Sequence, residues 1–134
     1  LNDSMGQYVA TEVIKLMVKK EIPVKCSNIL MLGITFKENC PDIRNTRAID
    51  IYRELKTYDL TVDIYDPWAD ADEVDHEYGI VSHTSLPDKK YDAVILAVAH
   101  KTFESIHLDT VKKSNSVVYD VKAVLPKHSV DGRL

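Results

Sequence analysis

The chain has 134 residues, 45% of them hydrophobic and 28% charged, with a net charge of −4. That is room for one domain with an appended element and a sizeable core. The negative balance provides no general field towards nucleic acid or an anionic membrane, and no run of about 20 apolar residues suggests a membrane span. Two cysteines, Cys26 and Cys40, make neither a disulfide framework nor a spaced metal motif. A reducing, cytoplasmic setting fits them. The first residue is Leu1, not Met, so the chain is expected to have been cut from something longer.

In chain order, Asp3 or Ser4 can cap a helix running to about Lys20. Met5, Val9, Val13, Leu16 and Met17 fall on one face at helical spacing, and Pro23 stops it. A strand–helix rhythm follows: strand 27–33, helix 46–58, strand 61–65, a short acidic helix 69–77, a short strand 80–82, the apolar strand 93–98, the end of a short helix at 111–113, and strand 117–119. Residues 126–134 read as loop. The alternation predicts an α/β fold: a three-layer, Rossmann-like domain with a mostly parallel sheet of about five strands, preceded by one N-terminal helix. Residues 21–25 form the only plausible boundary.

The informative stretch is residues 28–47, NILMLGITFKENCPDIRNTR. An apolar run ends in Gly33, Lys37 and Arg44 follow with Asp42 between them, and Asn45 or Thr46 can cap the next helix. Such loops lie at the carboxyl ends of parallel strands, where open α/β sheets bind ligands. A helix N-terminus and two cations there suit phosphate. Asp42 can orient one of the cations or simply fix the loop. Asp66 ends the second strand, where a dinucleotide-binding domain places its ribose carboxylate, but the first turn reads G-I-T-F-K-E and not G-x-G-x-x-G. Asp66-Pro67 is therefore read as a turn. The acidic run 70–77 is read as a solvated face, and Trp68 is expected to pack at a loop or an interface. The five histidines show no metal spacing, and no metal site is assigned.

The pattern G-x-x-F-K-x-x-x-x-D-x-R-x-[ST], carried by Gly33, Phe36, Lys37, Asp42, Arg44 and Thr46, resembles the C-terminal, UDP-binding domain of the UDP-glucose/GDP-mannose (nucleotide-sugar 6-) dehydrogenase family. The likeness runs along nearly the whole chain. Residues 1–21, opening L-N-D-S-M, resemble the end of that family's central helical domain, and residues 22–134 its C-terminal domain. The loop E-N-C-P-D-I-R-N-T looks most like the branch that oxidises UDP-N-acetylhexosamines. UDP-glucose enzymes more often read D-D-T-R-E-S.

The resemblance implies a double oxidation at sugar C6 with two NAD+, through a cysteine-bound thiohemiacetal and thioester. The cysteine belongs to a glycine-rich motif upstream, as does the main NAD site, so no catalytic residue is assigned in this chain. Cys40 lies between Glu38 and Asp42, which work against a thiolate, and Cys26 reads as structural. By resemblance, Phe36 and Lys37 would touch the UDP-sugar, Arg44 would lie near NAD, and Lys122, after the last strand, would reach the nucleotide-sugar. Arg133 is a weaker second candidate. A-x-x-H with Phe103 places His100 either against ligand or hydrogen-bonded in a loop. The implied partners are a UDP-sugar, the family's N-terminal and central domains, and a second copy in a homodimer. The alternative is a free-standing nucleotide- or anion-binding regulatory module without catalysis.

Overall fold

The computed structural model describes residues 2–134, with side chains from residue 5 onward. The cap expected at Asp3 or Ser4 and the side chains of the opening L-N-D-S stretch lie outside what is described. Eight regular elements follow in order: α1 (Asn2–Lys19), β1 (Asn28–Leu32), α2 (Ala48–Lys56), β2 (Thr61–Tyr65), α3 (Ala71–Tyr78), β3 (Tyr91–Leu96), β4 (Lys112–Asp120) and β5 (Gly132–Arg133). The strands form one sheet in the order β2-β1-β3-β4-β5, and every neighbouring pair is parallel.

Parallel pairing requires crossovers, and crossovers bury both faces of the central strands. β3, with sequence YDAVIL, is buried at all six positions. Alternate residues of the strands feed two apolar clusters. Ile29, Met31, Ile64, Ala93, Ile95, Val117 and Tyr119 pack with Val9, Val13 and Met17 of α1 and Ile49, Ile51 and Leu55 of α2. Leu30, Leu32, Val94 and Leu96 pack on the other face with Tyr65, Tyr91, Phe103 and Val111. That second face is covered by loops and short 3-10 turns at Lys101–Ser105 and Leu108–Thr110. The third layer is therefore thin.

α1 is joined to the sheet by more than its apolar stripe. At its end, Lys20 Nζ donates to the Ser116 carbonyl at 2.6 Å and pairs with Asp131 at 2.7 Å. Asp131 in turn accepts the Val118 N–H. α3 is a short acidic helix set beside α2. Asp70 caps it by accepting from the N–H groups of Asp72 and Glu73, and Gly79 closes it in the left-handed region.

Three expected elements differ. Residues 80–82 form no strand, only a single parallel bridge from Tyr65 to His83 on the outer edge of β2. Val81 there is exposed. Residues 112–113, expected at a helix end, begin β4, whose first half is polar and exposed and so shows no apolar pattern. The tail contributes β5, where Gly132 lies against the Tyr119 ring. Cys26 is exposed with a left-handed backbone, and its N–H donates to the Asp59 carbonyl. Its role is that of a turn and not of a packed core residue.

Gly33 ends β1 at φ +103°, a conformation that disfavours a side chain, and an added Cβ would sit 2.5 Å from Val98 Cβ. Gly33→Ala is therefore expected to cost about 2–3 kcal/mol in urea-induced unfolding, from backbone strain and overpacking together.

Candidate functional site

The carboxyl ends of the strands are organised by two buried aspartates. Asp66 follows β2. Its Oδ2 accepts the N–H groups of Ile34 (2.8 Å) and Thr35 (3.2 Å) and His100 Nε2 (2.9 Å). Its Oδ1 accepts the N–H groups of Trp68 (2.8 Å) and Ala69 (3.2 Å). Five donors converge on one carboxylate. Burial alone would raise its pKa, but the His100 hydrogen bond and the backbone amides of Ile34 and Trp68 outweigh it, and the net shift is downwards. Asp120 ends β4 and accepts four backbone N–H groups, those of Lys122, Ala123, Val124 and Leu125, at 2.7–2.9 Å. It thereby wraps the loop that carries Lys122.

His100 is buried, with Trp68 stacked on one side at 6.1 Å between ring centroids and Phe103 edge-on at 5.2 Å. Its Nδ1 accepts the Asn39 N–H at 2.8 Å. An acceptor at Nδ1 and a carboxylate at Nε2 assign the neutral ring with its proton on Nε2. Of the two readings of His100, the hydrogen-bonded loop histidine is the one the geometry realises. The loop is closed further by Thr35 Oγ1 donating to the Lys37 carbonyl, Thr46 Oγ1 donating to the Thr35 carbonyl, and Phe36 N–H donating to the Asp42 carbonyl. Thr46 Oγ1 also accepts the Ala48 N–H, which satisfies one open amide at the start of α2.

Above this framework lies a cleft of about 220 Å³ lined by Phe36, Lys37, Thr46, Arg47, Val121 and Lys122 among others. Lys37 and Lys122 come from loops far apart in sequence and meet here. Arg47 joins them from the N-cap position of α2. Its placement beside the F-K pair is set by the helix direction, which no residue spacing reveals. Among the described residues no Asp or Glu side chain lines the cleft, and Lys37, Arg47 and Lys122 make no ion pair. Phe36 is 53% exposed, which leaves an aromatic face free beside the cations.

Arg44 does not join this group. Its guanidinium forks onto Asp42, Nε to Oδ1 at 3.0 Å and Nη2 to Oδ2 at 3.2 Å. The hydrogen bond from Arg44 holds the Asp42 carboxyl below its usual range. Arg44 lines a separate shallow surface with Asp70, the cap of α3, and Asp72, Glu73 and Glu77 of α3. Asp42 therefore orients Arg44 rather than Lys37. Arg133 donates to the Ala123 carbonyl and braces the loop after β4. Cys40 lies beside Arg44, away from the cation cleft.

A larger groove of about 870 Å³ opens on the thinly covered face. It mixes Lys20 and Lys112 with Glu104, Asp109 and Asp131, so it has no single sign of charge. The smaller cleft is the better anion site, because every charged side chain described on it is cationic.

The edge does not fit the diphosphate and ribose of a dinucleotide in the usual Rossmann manner. Gly33 is packed on Val98, and no second glycine follows to let a diphosphate approach the backbone. The Asp66 carboxylate is saturated by five donors and is buried beneath the loop. It has no lone pair left for a ribose hydroxyl.

Residues 30–127 match the model of the UDP-glucose/GDP-mannose dehydrogenase family, UDP binding domain. The chain belongs to this family. Curated relatives include UDP-N-acetyl-D-glucosamine 6-dehydrogenases of Salmonella typhi, 50% identical over the whole chain, and of Pseudomonas aeruginosa, 44% identical. The chain spans 32% of the length of each. Among solved structures, the NDP-N-acetyl-D-galactosaminuronic acid dehydrogenase of Methanosarcina mazei shares the fold at a TM-score of 0.80 and 20% identity, over 92% of this chain and 26% of that one. A UDP-N-acetyl-mannosamine dehydrogenase of Staphylococcus aureus matches at a TM-score of 0.68 and 26% identity, over 97% of this chain and 30% of that one. The α/β fold expected from the strand–helix rhythm is the fold of this UDP binding domain.

The Asp66 network makes a pH prediction for this family domain. Its folded pKa lies below the unfolded value of about 3.9, so the unfolded chain binds the extra proton in that window. The stabilisation is complete above that value and is lost as pH falls through the folded pKa. In urea unfolding followed from pH 6 to pH 2, Asp66→Asn is expected to be less stable at pH 6 by about 3 kcal/mol, because a carboxamide cannot accept all five donors. It should also lose stability less steeply than wild type on acidification.

Proposed function

We propose that this chain is the C-terminal substrate-binding domain of an NAD-dependent nucleotide-sugar 6-dehydrogenase, and that the substrate is a UDP-N-acetylhexosamine. In this reading residues 1–21 are the end of a central helical domain and residues 22–134 the UDP-sugar-binding domain. Lys37 and Lys122 neutralise the diphosphate, Phe36 packs against the nucleotide-sugar, and Arg44 faces the NAD side of the interdomain cleft. NAD is held mainly by another domain of the parent enzyme, which also supplies the nucleophile. That enzyme is a cytoplasmic homodimer producing a uronic acid.

The observation that carries the reading is the convergence of Lys37 and Lys122 on one cleft that no described Asp or Glu side chain lines, within a chain that matches the UDP binding domain. A diphosphate supplies the compensating charge, and two point cations plus a helix N-terminus suit it. Fixing a remote diphosphate helps place the reacting carbon, which is how a domain without catalytic groups contributes to rate. The loop E-N-C-P-D-I-R-N-T and the names of the relatives support the N-acetylhexosamine branch. No described helix is long and apolar enough to cross a membrane.

The test is an NMR titration of this chain with UDP and, separately, with NAD. UDP is expected to bind at roughly millimolar affinity, because part of the cleft belongs to other domains. Shifts should cluster at residues 36–37 and at Lys122, with little change on adding NAD. Tight NAD binding centred on Gly33 and Asp66 would overturn the division of labour. Lys37→Ala and Lys122→Ala are each expected to weaken UDP about three- to tenfold. Arg44→Ala should leave UDP affinity within about twofold, since an exposed pair contributes little.

A further inference from the structure

We infer that His100 is the positioning residue of the cation cleft: through its neutral imidazole it holds the turn at residues 36–38 in the shape that presents Phe36 and Lys37 to a nucleoside diphosphate. The inference rests on the reading of that cleft as a nucleotide site.

The turn is pinned at both ends by one buried unit. On its N-terminal side, Asp66 Oδ2 accepts the N–H groups of Ile34 and Thr35. On its C-terminal side, His100 Nδ1 accepts the Asn39 N–H. The two anchors are joined by the 2.9 Å hydrogen bond from His100 Nε2 to Asp66 Oδ2. Thr35 Oγ1, 3.1 Å from the same Nε2, donates to the Lys37 carbonyl and so fixes the middle of the turn. Asn39 makes a second bond back to the same segment, its Oδ1 accepting the Lys101 N–H at 3.0 Å. Its left-handed backbone, φ +56°, brings both groups of Asn39 round to residues 100 and 101.

The imidazole cannot touch a ligand itself, because its side chain is fully buried. Trp68 and Phe103 fix its plane. It acts only through the backbone of the turn. Lys37 makes no ion pair among the described residues, so no described carboxylate holds its ammonium in advance. The backbone that carries it is therefore the element that is ordered before a ligand arrives, and an ordered turn lowers the cost of binding.

The tautomer makes the idea testable. Only an unprotonated Nδ1 accepts the Asn39 N–H, and only a protonated Nε2 donates to Asp66. His100→Asn places an oxygen near the Nδ1 position and keeps an acceptor for Asn39 while losing the donor to Asp66. His100→Gln does the reverse. The experiment records imidazole 15N spectra of the wild-type chain, then amide hydrogen exchange and UDP titration for wild type and both variants.

The wild-type ring is expected as the neutral Nε2–H tautomer at neutral pH. A ring protonated on Nδ1 overturns the inference whether or not either variant folds. H100Q should lose amide protection at residues 36–39 and bind UDP about tenfold more weakly than H100N. Equal UDP affinities for the two variants, with wild type binding, overturn the positioning role and leave the nucleotide reading standing. A wild-type chain silent towards UDP sinks the nucleotide reading for this chain. Amide protection then decides the positioning role: selective loss in H100Q upholds it, and equal protection in both variants removes it.

Discussion

The arrangement of the carboxyl edge depends on a carboxylate placed where no water can serve it. Asp66 lies at the end of an edge strand and is almost fully buried, so leaving it unpaired would be costly. It is satisfied by drawing in the chain from three places: the end of β1 at Ile34 and Thr35, its own following turn at Trp68 and Ala69, and His100 beyond β3. Those three segments are far apart in sequence and adjacent only because the strand order is β2-β1-β3. Removing one donor would leave four. Removing the carboxylate leaves five unpaired groups, and this asymmetry makes Asp66 the keystone of the edge.

Asp120 does the same work on the other side of β3, with backbone amides alone. The two aspartates shape the loops on either side of the central strand, and the cations ride on those loops: Lys37 after β1 and Lys122 after β4. Negative charge is thus kept beneath the cleft and positive charge at its surface. The buried carboxylates are screened from the cleft by the amides they bind. Arg44 stands outside this scheme because Asp42, two residues away, already neutralises it.

Much of the edge was legible in the sequence, and the parts that were not share a cause. The α/β rhythm follows from residue type and order, and the F-K pair and Lys122 were legible through the family resemblance. Asp66 was legible as a turn former and not as a hub, because its partners Ile34 and His100 lie 32 and 34 residues away. Arg47 was not singled out, since its place on the cleft with Lys122 depends on how α2 leans on the sheet. The polar half of β4 and the two-residue β5 carry no apolar alternation, so periodicity could not reveal them. At the expected strand 80–82 the chain makes only the single bridge from His83 to the outer edge of β2.

The all-parallel ladder has a kinetic side. No strand pairs with its chain neighbour through a tight hairpin. Partners range from 13 residues apart, Tyr119 with Gly132, to 64 apart, Ile29 with Ala93. The central contact between β1 and β3 therefore forms only after a long loop has closed, and the entropy of that closure is spent before the ladder repays it. Until then Asp66 lacks His100, even where β1 and β2 have already brought it the amides of Ile34 and Thr35. The five donors of Asp66 can thus meet at the edge of the ligand cleft only once the order β2-β1-β3 is in place.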